Sequence, residues 1–141
     1  MTTKERVNVS GTIALKSQDG RYMKVFNEDG LRFHDDTLDD DAKFTVTKLK
    51  NGNISLKGPN GKIVNMYYVS DVKCAGPHGG VEFGVIQSGG NWIKLTISGY
   101  QGMGSRCKFL SSVPGHEAYH GSLAVKENED HSCYFSVEKL D

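Results

Sequence analysis

The chain has 141 residues, of which 37% are hydrophobic and 24% charged, a balance that fits one soluble globular domain and excludes a disordered chain. Seventeen Lys and Arg offset seventeen Asp and Glu, so the basic excess that general DNA, heparin or anionic-membrane binding requires is missing. No apolar run approaches the roughly 18–20 residues of a membrane span, and the opening Met1-Thr-Thr-Lys-Glu-Arg6 lacks the apolar core of a secretory signal.

In chain order, the first predicted strand is Thr12-Ile-Ala-Leu-Lys16, and the turn pair Asp19-Gly20 leads to a second, Arg21-Tyr-Met23. Leu31-Arg-Phe33 and Phe44-Thr-Val46 follow. The same order then returns. Asn53-Ile-Ser-Leu-Lys57 leads through Asn60-Gly61 to Lys62-Ile-Val64, Val72-Lys-Cys74 and Phe83-Gly-Val85. A third pass reads Trp92-Ile-Lys-Leu-Thr96, Lys108-Phe-Leu110, Leu123-Ala-Val125 and Phe135-Ser-Val137. No window keeps an apolar i, i+3, i+4, i+7 stripe, so helices are not expected. Asp-Gly and Asn-Gly are the pairs best able to hold the positive φ angles of a tight hairpin.

Ile13, Ile54 and Ile93 correspond, as do Leu15, Leu56 and Leu95; alternation puts both members of each pair on one strand face, the buried one. Leu15 to Tyr22 and Leu56 to Ile63 both span seven residues, and Met23 to Leu31 and Val64 to Val72 both span eight. Four strands repeated three times predict an all-β fold, a β-trefoil of twelve strands in three pseudo-symmetric repeats. The expected domain is single, over 1–141, with repeats at about 10–50, 51–90 and 91–141. Tyr22, Phe33, Phe44, Phe83, Phe109 and Phe135 are assigned to the core, and Cys74 is read as a small buried residue in the place of Phe33. The third repeat lengthens the first interval by seven residues, around 99–105, and the second by five, around 114–121. Loop insertions on a fixed scaffold are where binding is commonly added.

Three cysteines, Cys74, Cys107 and Cys133, cannot all pair within the chain and form no CxxC. A reducing, cytoplasmic setting is expected; the sequons at Asn8 and Asn53 would matter only after secretion. His116-Glu-Ala-Tyr-His120 matches the HExxH zinc pattern, but that chemistry needs a helix, and the five residues sit in a loop between Pro114-Gly115 and Gly121-Ser122. The acidic run Asp35–Asp41 lacks the glycine-punctuated spacing of a calcium loop and reads as a solvated connection. GxSxG and a phosphate-cradling loop are also missing. No enzyme, catalytic residue, metal or cofactor is expected.

The repeat leaves certain aromatic and polar side chains unused. Asn65, Tyr67, Tyr68, Ser70 and Asp71 form the densest group; Trp92 and the insertion residues His116, Tyr119 and His120 complete the candidate carbohydrate site. A flat aromatic face covers the C–H side of a sugar ring, while Asn, Asp and His fix its hydroxyls.

The stretch Ala14-Leu-Lys-Ser-Gln-Asp-Gly-Arg-Tyr-Met23 resembles the opening shared by fascin, hisactophilin and the amaranthin-type agglutinins. Leu31-Arg-Phe33, the acidic loop and Lys43-Phe-Thr-Val46 are similar to the agglutinin pattern, as is Asn51-Gly-Asn-Ile-Ser-Leu-Lys57. The likeness covers about residues 11–85. It implies a non-enzymatic lectin for galactose- or GalNAc-type glycans or glycoproteins, working as a homodimer. The family's aromatic contact, a tryptophan, maps by position onto Tyr67. The repeated Gln-x-Trp of ricin-type lectins is absent. The rival reading is an actin-binding module of fascin or hisactophilin type, using a patch of Lys16, Arg21, Lys24, Lys48 and Lys50. A trefoil protease inhibitor acting through residues 114–121 is a third.

Overall fold

The computed structural model describes residues 7–67, 71–76, 81–97, 108–115 and 122–140, without the side chains of 66, 67, 71, 75 and 76. Twelve strands occur among them: β1 (Gly11–Lys16), β2 (Met23–Phe26), β3 (Gly30–Phe33), β4 (Phe44–Lys48), β5 (Ile54–Lys57) and β6 (Ile63–Tyr67). The rest are β7 (Asp71–Gly76), β8 (Phe83–Gln87), β9 (Trp92–Ile97), β10 (Lys108–Pro114), β11 (Leu123–Lys126) and β12 (Phe135–Lys139).

Six of them close a ring. β1 pairs with β4, β4 with β5, β5 with β8, β8 with β9, β9 with β12 and β12 with β1, all antiparallel. The registers carry the threefold repeat residue by residue. Ile13 faces Phe44, Ile54 faces Phe83 and Ile93 faces Phe135. Between repeats, Val46 faces Leu56, Val85 faces Leu95 and Val137 faces Leu15. The other strands form the hairpins β2–β3, β6–β7 and β10–β11, where Met23–Phe33, Val64–Cys74 and Leu110–Val125 are the matching pairs. Each hairpin joins the barrel at an equivalent step: Lys16–Tyr22, Lys57–Ile63 and Thr96–Phe109. This is the β-trefoil.

Phe44, Phe83, Phe135, Ile13, Leu15, Leu56, Ile93 and Leu95 are essentially inaccessible to solvent and belong to one continuous apolar cluster. Each such side chain contributes roughly 1.5–3 kcal/mol on burial, before the entropy of ordering is subtracted. Phe33 stacks on Phe135 with centroids 5.2 Å apart, tying cap to barrel. Cys74 and Cys133 are buried free thiols. Burial pushes the Cys74 thiol up to about 11, so it behaves as a small core residue and not as a nucleophile.

Three expectations change. Phe109 is only half-buried: it pairs with Thr96, on the outward face of β9, and alternation sends Leu110 inward instead. Tyr22 occupies the same step and is buried, but in a satellite cluster with Ala14 and Ala42 outside the main core. Its hydroxyl donates to Glu138 at 2.6 Å, and that bond, reinforced by burial, raises its pKa to about 12.

The Asp19-Gly20 and Asn60-Gly61 turns are also looser than expected. The amide of Gly20 reaches the carbonyl of Ser17 at 3.0 Å, and that of Gly61 reaches Gly58 at 3.0 Å. Only the glycines have positive φ, 87° and 79°, which is the three-residue loop ending on a left-handed glycine.

The acidic run, finally, is not merely solvated. The ammonium of buried Lys24 lies 2.7 Å from Asp35 and 2.8 Å from Asp39, and Asp39 also accepts the Asp41 amide to start a 3-10 turn at Asp40–Ala42. Burial alone would lower the Lys24 pKa, but the two carboxylate hydrogen bonds outweigh it and the net shift is upward. Among the described residues no cluster of His, Cys, Asp or Glu is arranged to hold a metal ion. None of their helices is long and apolar enough to cross a membrane.

Candidate functional site

The sequence candidates fall in three places. Asn65 is half-buried in β6, with Lys73 of β7 as its register partner, and Tyr67 ends β6 opposite Asp71, the first residue of β7. Tyr68, Ser70, His116, Tyr119 and His120 lie outside the described residues, as do the side chains of Tyr67 and Asp71. Trp92 is half-buried and opens β9 beside the turn in which its amide bonds to the carbonyl of Gly89 at 3.0 Å. The β10 hairpin joins β9 at Thr96 and Ile97, the other end of that strand. At about 3.4 Å per residue, some five residues separate Trp92 from the cap by roughly 17 Å, so the structure does not bring it to the hairpins that carry Asn65, Tyr67 and Asp71. The basic patch of the rival reading loses a member as well, since Lys24 is buried and doubly ion-paired.

The repeat suggests where else to look. The tip of the β2–β3 hairpin meets the turn between β5 and β6, the first two strands of the next repeat. Where β2–β3 meets the second repeat, the junction is closed. The Asn60 amide nitrogen donates to the carbonyls of Glu28 at 2.7 Å and Cys74 at 3.0 Å. The Cys74 amide donates to the Asp29 carbonyl at 2.9 Å, and the Lys73 ammonium lies 3.6 Å from the Asp29 carboxylate. These bonds fix a tip whose Asn27 and Glu28 have φ of 49° and 72°, a conformation that side chains other than Asn and Asp seldom adopt.

Where β10 comes beside the first repeat, the described residues leave the equivalent junction open. A cleft of about 450 Å³ lies there, within the range of small-ligand sites. The 17–21 turn contributes Gln18, Asp19 and Arg21; β3 and the residue after it contribute Arg32, Phe33 and His34. The end of β10 adds Ser112, Val113 and Pro114, and a 3-10 turn at His131–Cys133 adds His131 and Ser132.

The walls are firm. Asp130 accepts the Ser132 amide at 2.9 Å and the Lys126 ammonium at 2.7 Å, and the Ser111 and Ser132 hydroxyls lie 2.7 Å apart. The Lys126 hydrogen bond, with those from Ser132, holds the Asp130 carboxyl well below the usual carboxylate range. Arg32 lies over the Phe26 ring, its guanidinium carbon 4.0 Å from the centroid. Asp19 accepts from the Ser17 hydroxyl and pairs with Arg21 at 3.4 Å. Val113 and Pro114 form an exposed apolar strip.

Sequence reasoning reached the edge of this cleft through the insertion at 114–121 but missed Arg32, His34, Ser112 and His131. The available signal was a single exchange at matching turn positions, Asp19 for Asn60.

No family profile matches the chain, and no curated protein matches it. Solved structures do. One is SeviL bound to asialo-GM1 saccharide, with a TM-score of 0.73 at 11% identity over 94% of this chain and 100% of the other. Another is the designed 3-fold symmetric protein ThreeFoil, with a TM-score of 0.71 at 16% identity over 93% of this chain and 100% of the other. At such identities the likeness is one of fold, and it is the same β-trefoil.

Proposed function

We propose that this protein is a non-enzymatic carbohydrate-binding protein whose main site is the open junction between its third and first repeats. The observation that carries the reading is the cleft itself. It breaks the pseudo-symmetry where the closed junction keeps it, and it combines an apolar strip with convergent hydroxyl, amide and imidazole groups. Val113 and Pro114 offer a surface for the C–H side of a pyranose, while Gln18, Ser112, His34 and His131 offer partners for its hydroxyls. His116, Tyr119 and His120, two to six residues beyond Pro114 in the sequence, are proposed as further contacts. Asn65, Tyr67, Tyr68, Ser70 and Asp71 form a second proposed contact region on the β6–β7 hairpin, and Trp92 is the remaining candidate. Support also comes from the fold shared with SeviL, whose structure contains a bound saccharide.

Galactose- and GalNAc-type glycans are the proposed ligands, and a homodimer the proposed assembly, both following from the amaranthin-type resemblance. The buried unpaired thiols of Cys74 and Cys133 suit a reducing, cytoplasmic setting. The same reading treats residues 1–141 as one domain.

A glycan array probed with the whole chain tests the proposal, followed by retention on galactose- and GalNAc-agarose and release by free sugar. Retention is expected. Binding to no glycan, together with co-sedimentation on actin filaments, would replace this reading with the cytoskeletal one. Ser112→Ala and Tyr67→Ala then separate the two regions: the variant that weakens binding at unchanged melting temperature marks the contact surface.

A further inference from the structure

We infer that Asn51 is a site of spontaneous covalent modification, deamidation to aspartate and isoaspartate, and that Asn60, in a turn of the same build, is protected from it. Asparagine is among the thermolabile residues, and a glycine after it leaves the attacking nitrogen least hindered. The chain has two such pairs, Asn51-Gly52 between β4 and β5 and Asn60-Gly61 between β5 and β6.

The two turns are matched in their backbone. The amide of Gly52 reaches the carbonyl of Leu49 at 3.1 Å, as that of Gly61 reaches Gly58 at 3.0 Å, and the two glycines have φ of 87° and 79°. Oδ1 of Asn51 accepts the Asn53 amide at 3.0 Å, and Oδ1 of Asn60 accepts the Lys62 amide at 3.1 Å. Beyond the chain neighbours, no atom lies within 4 Å of where a Cβ would sit on either glycine.

What differs is the amide nitrogen, the group that leaves. In Asn60, half-buried, it donates to two main-chain carbonyls, those of Glu28 at 2.7 Å and Cys74 at 3.0 Å. In Asn51 it donates to the Glu82 carboxylate at 2.9 Å, and both of these residues are exposed. Water competes for that bond and not for the other two.

The reaction begins when hydroxide removes the Gly52 amide proton. The nitrogen lone pair then forms a bond to Cγ of Asn51. The bond from Cγ to the side-chain nitrogen breaks, and that nitrogen leaves as ammonia with a proton from water. A second water opens the resulting succinimide ring. Attack at Cγ breaks the new bond to nitrogen and gives aspartate. Attack at the main-chain carbonyl carbon of Asn51 breaks the original peptide bond and gives isoaspartate. The sum is one water consumed and one ammonia released, with no oxidation or reduction. Before the nitrogen can reach Cγ, the side chain must swing off its partners, which is easy at Asn51 and opposed at Asn60.

The product sets a carboxylate at position 51 against Glu82, so a hydrogen bond becomes a like-charge contact. That contact lies beside the ring step with the fewest paired residues. β5 meets β8 through Ile54 and Phe83 alone, whereas three pairs join β1 to β4 and two join β9 to β12. The modification therefore loosens the barrel where its closure is thinnest.

Peptide mapping by mass spectrometry after incubation of the whole folded chain in warm, mildly alkaline buffer tests the inference. The Asn51 peptide should exchange NH for O at least about tenfold faster than the Asn60 peptide, the scale of one or two hydrogen bonds, as a mixture of aspartate and isoaspartate. In urea the two rates should converge, because the protection of Asn60 comes from the fold. Equal rates in the folded chain, a faster Asn60, or no reaction at Asn51 would overturn the inference. A rate difference that persists undiminished in urea would place its cause in the local sequence and overturn the protection. Asn51→Asp should lower the urea midpoint, and adding Glu82→Gln should restore part of it. An unchanged midpoint in Asn51→Asp would remove the effect on barrel closure.

Discussion

Asn60 and Asp19 hold the same place in two equivalent turns, and what separates them is a hydrogen-bond donor. The Asn60 amide donates to two carbonyls of the hairpin tip and strand beside it, at 2.7 and 3.0 Å, and its junction is closed. Asp19 is a carboxylate with nothing to donate, engages Ser17 and Arg21 within its own turn, and borders a cleft. The threefold repeat supplies both junctions with the same barrel, so the difference lies in a handful of side chains and in the longer third hairpin. A scaffold of this kind can hold one junction shut for stability while another stays available for a ligand, at no cost to the barrel beneath.

The sharpest way to break the comparison is to move a residue across it. Phe33→Cys gives the open junction the residue found at Cys74 in the closed one. It removes the ring stacked on Phe135 and leaves a void at the barrel–cap boundary, so urea unfolding should register a loss of about 2–4 kcal/mol. A loss below about 1 kcal/mol would mean that the cap re-forms around the smaller side chain and that Phe33 does not define the cleft. Next in size is Asn60→Asp. It strips the donor from the carbonyls of Glu28 and Cys74 and sets a negative charge against them, which should cost about 1–3 kcal/mol. Hydrogen exchange at the β2–β3 tip should speed up with it; an unchanged tip would show that the Cys74 and Lys73 contacts suffice.

How much of this was readable in advance depends on the distance over which each feature is encoded. Ile13, Leu15 and Phe44 with their counterparts were legible because period-two alternation and a threefold echo both mark them, and the register pairs them as their order implies. Phe109 was not, because strand membership is visible in sequence while the side its second residue faces depends on the neighbour it pairs with, here Thr96. The Lys24 clamp was hidden for a related reason. A lysine in a strand reads as solvent-facing until the loop that follows folds back with Asp35 and Asp39. The cleft draws on residues from 18 to 132, and no local pattern reports a meeting of the chain's two ends. The Tyr67 group stands out in sequence by its density of aromatic and polar residues, and the Tyr67→Ala comparison tests its role.

That clamp also predicts how the open junction responds to acid. The Lys24 hydrogen bond holds the Asp35 carboxyl below its ordinary value, and Lys43 does the same for Asp40. A carboxylate depressed in the folded state adds stability above its unfolded value of about 4, and that contribution disappears as pH falls through the folded value. The urea midpoint should therefore stay level near neutrality and decline below about pH 4. In Asp35→Asn the decline should be shallower, with a lower starting midpoint at pH 7. An identical acid profile in the variant would remove Asp35 from the account and place the acid sensitivity in other carboxylates.

The smallest expected effect is the most informative about the comparison. Asp19→Asn restores to the open junction the amide that shuts the closed one. The contact it gives up, the pair with Arg21, is exposed on both sides and is worth little in water. Stability should change by less than about 0.5 kcal/mol, within the ordinary range of surface substitutions. The reverse exchange at position 60 has no such latitude, because its donor is already bonded to two carbonyls. Equal costs for the two exchanges, measured under one set of conditions, would show that the hydrogen-bond donor is not what separates the junctions. The lengthened third hairpin would then be left as the cause of the cleft.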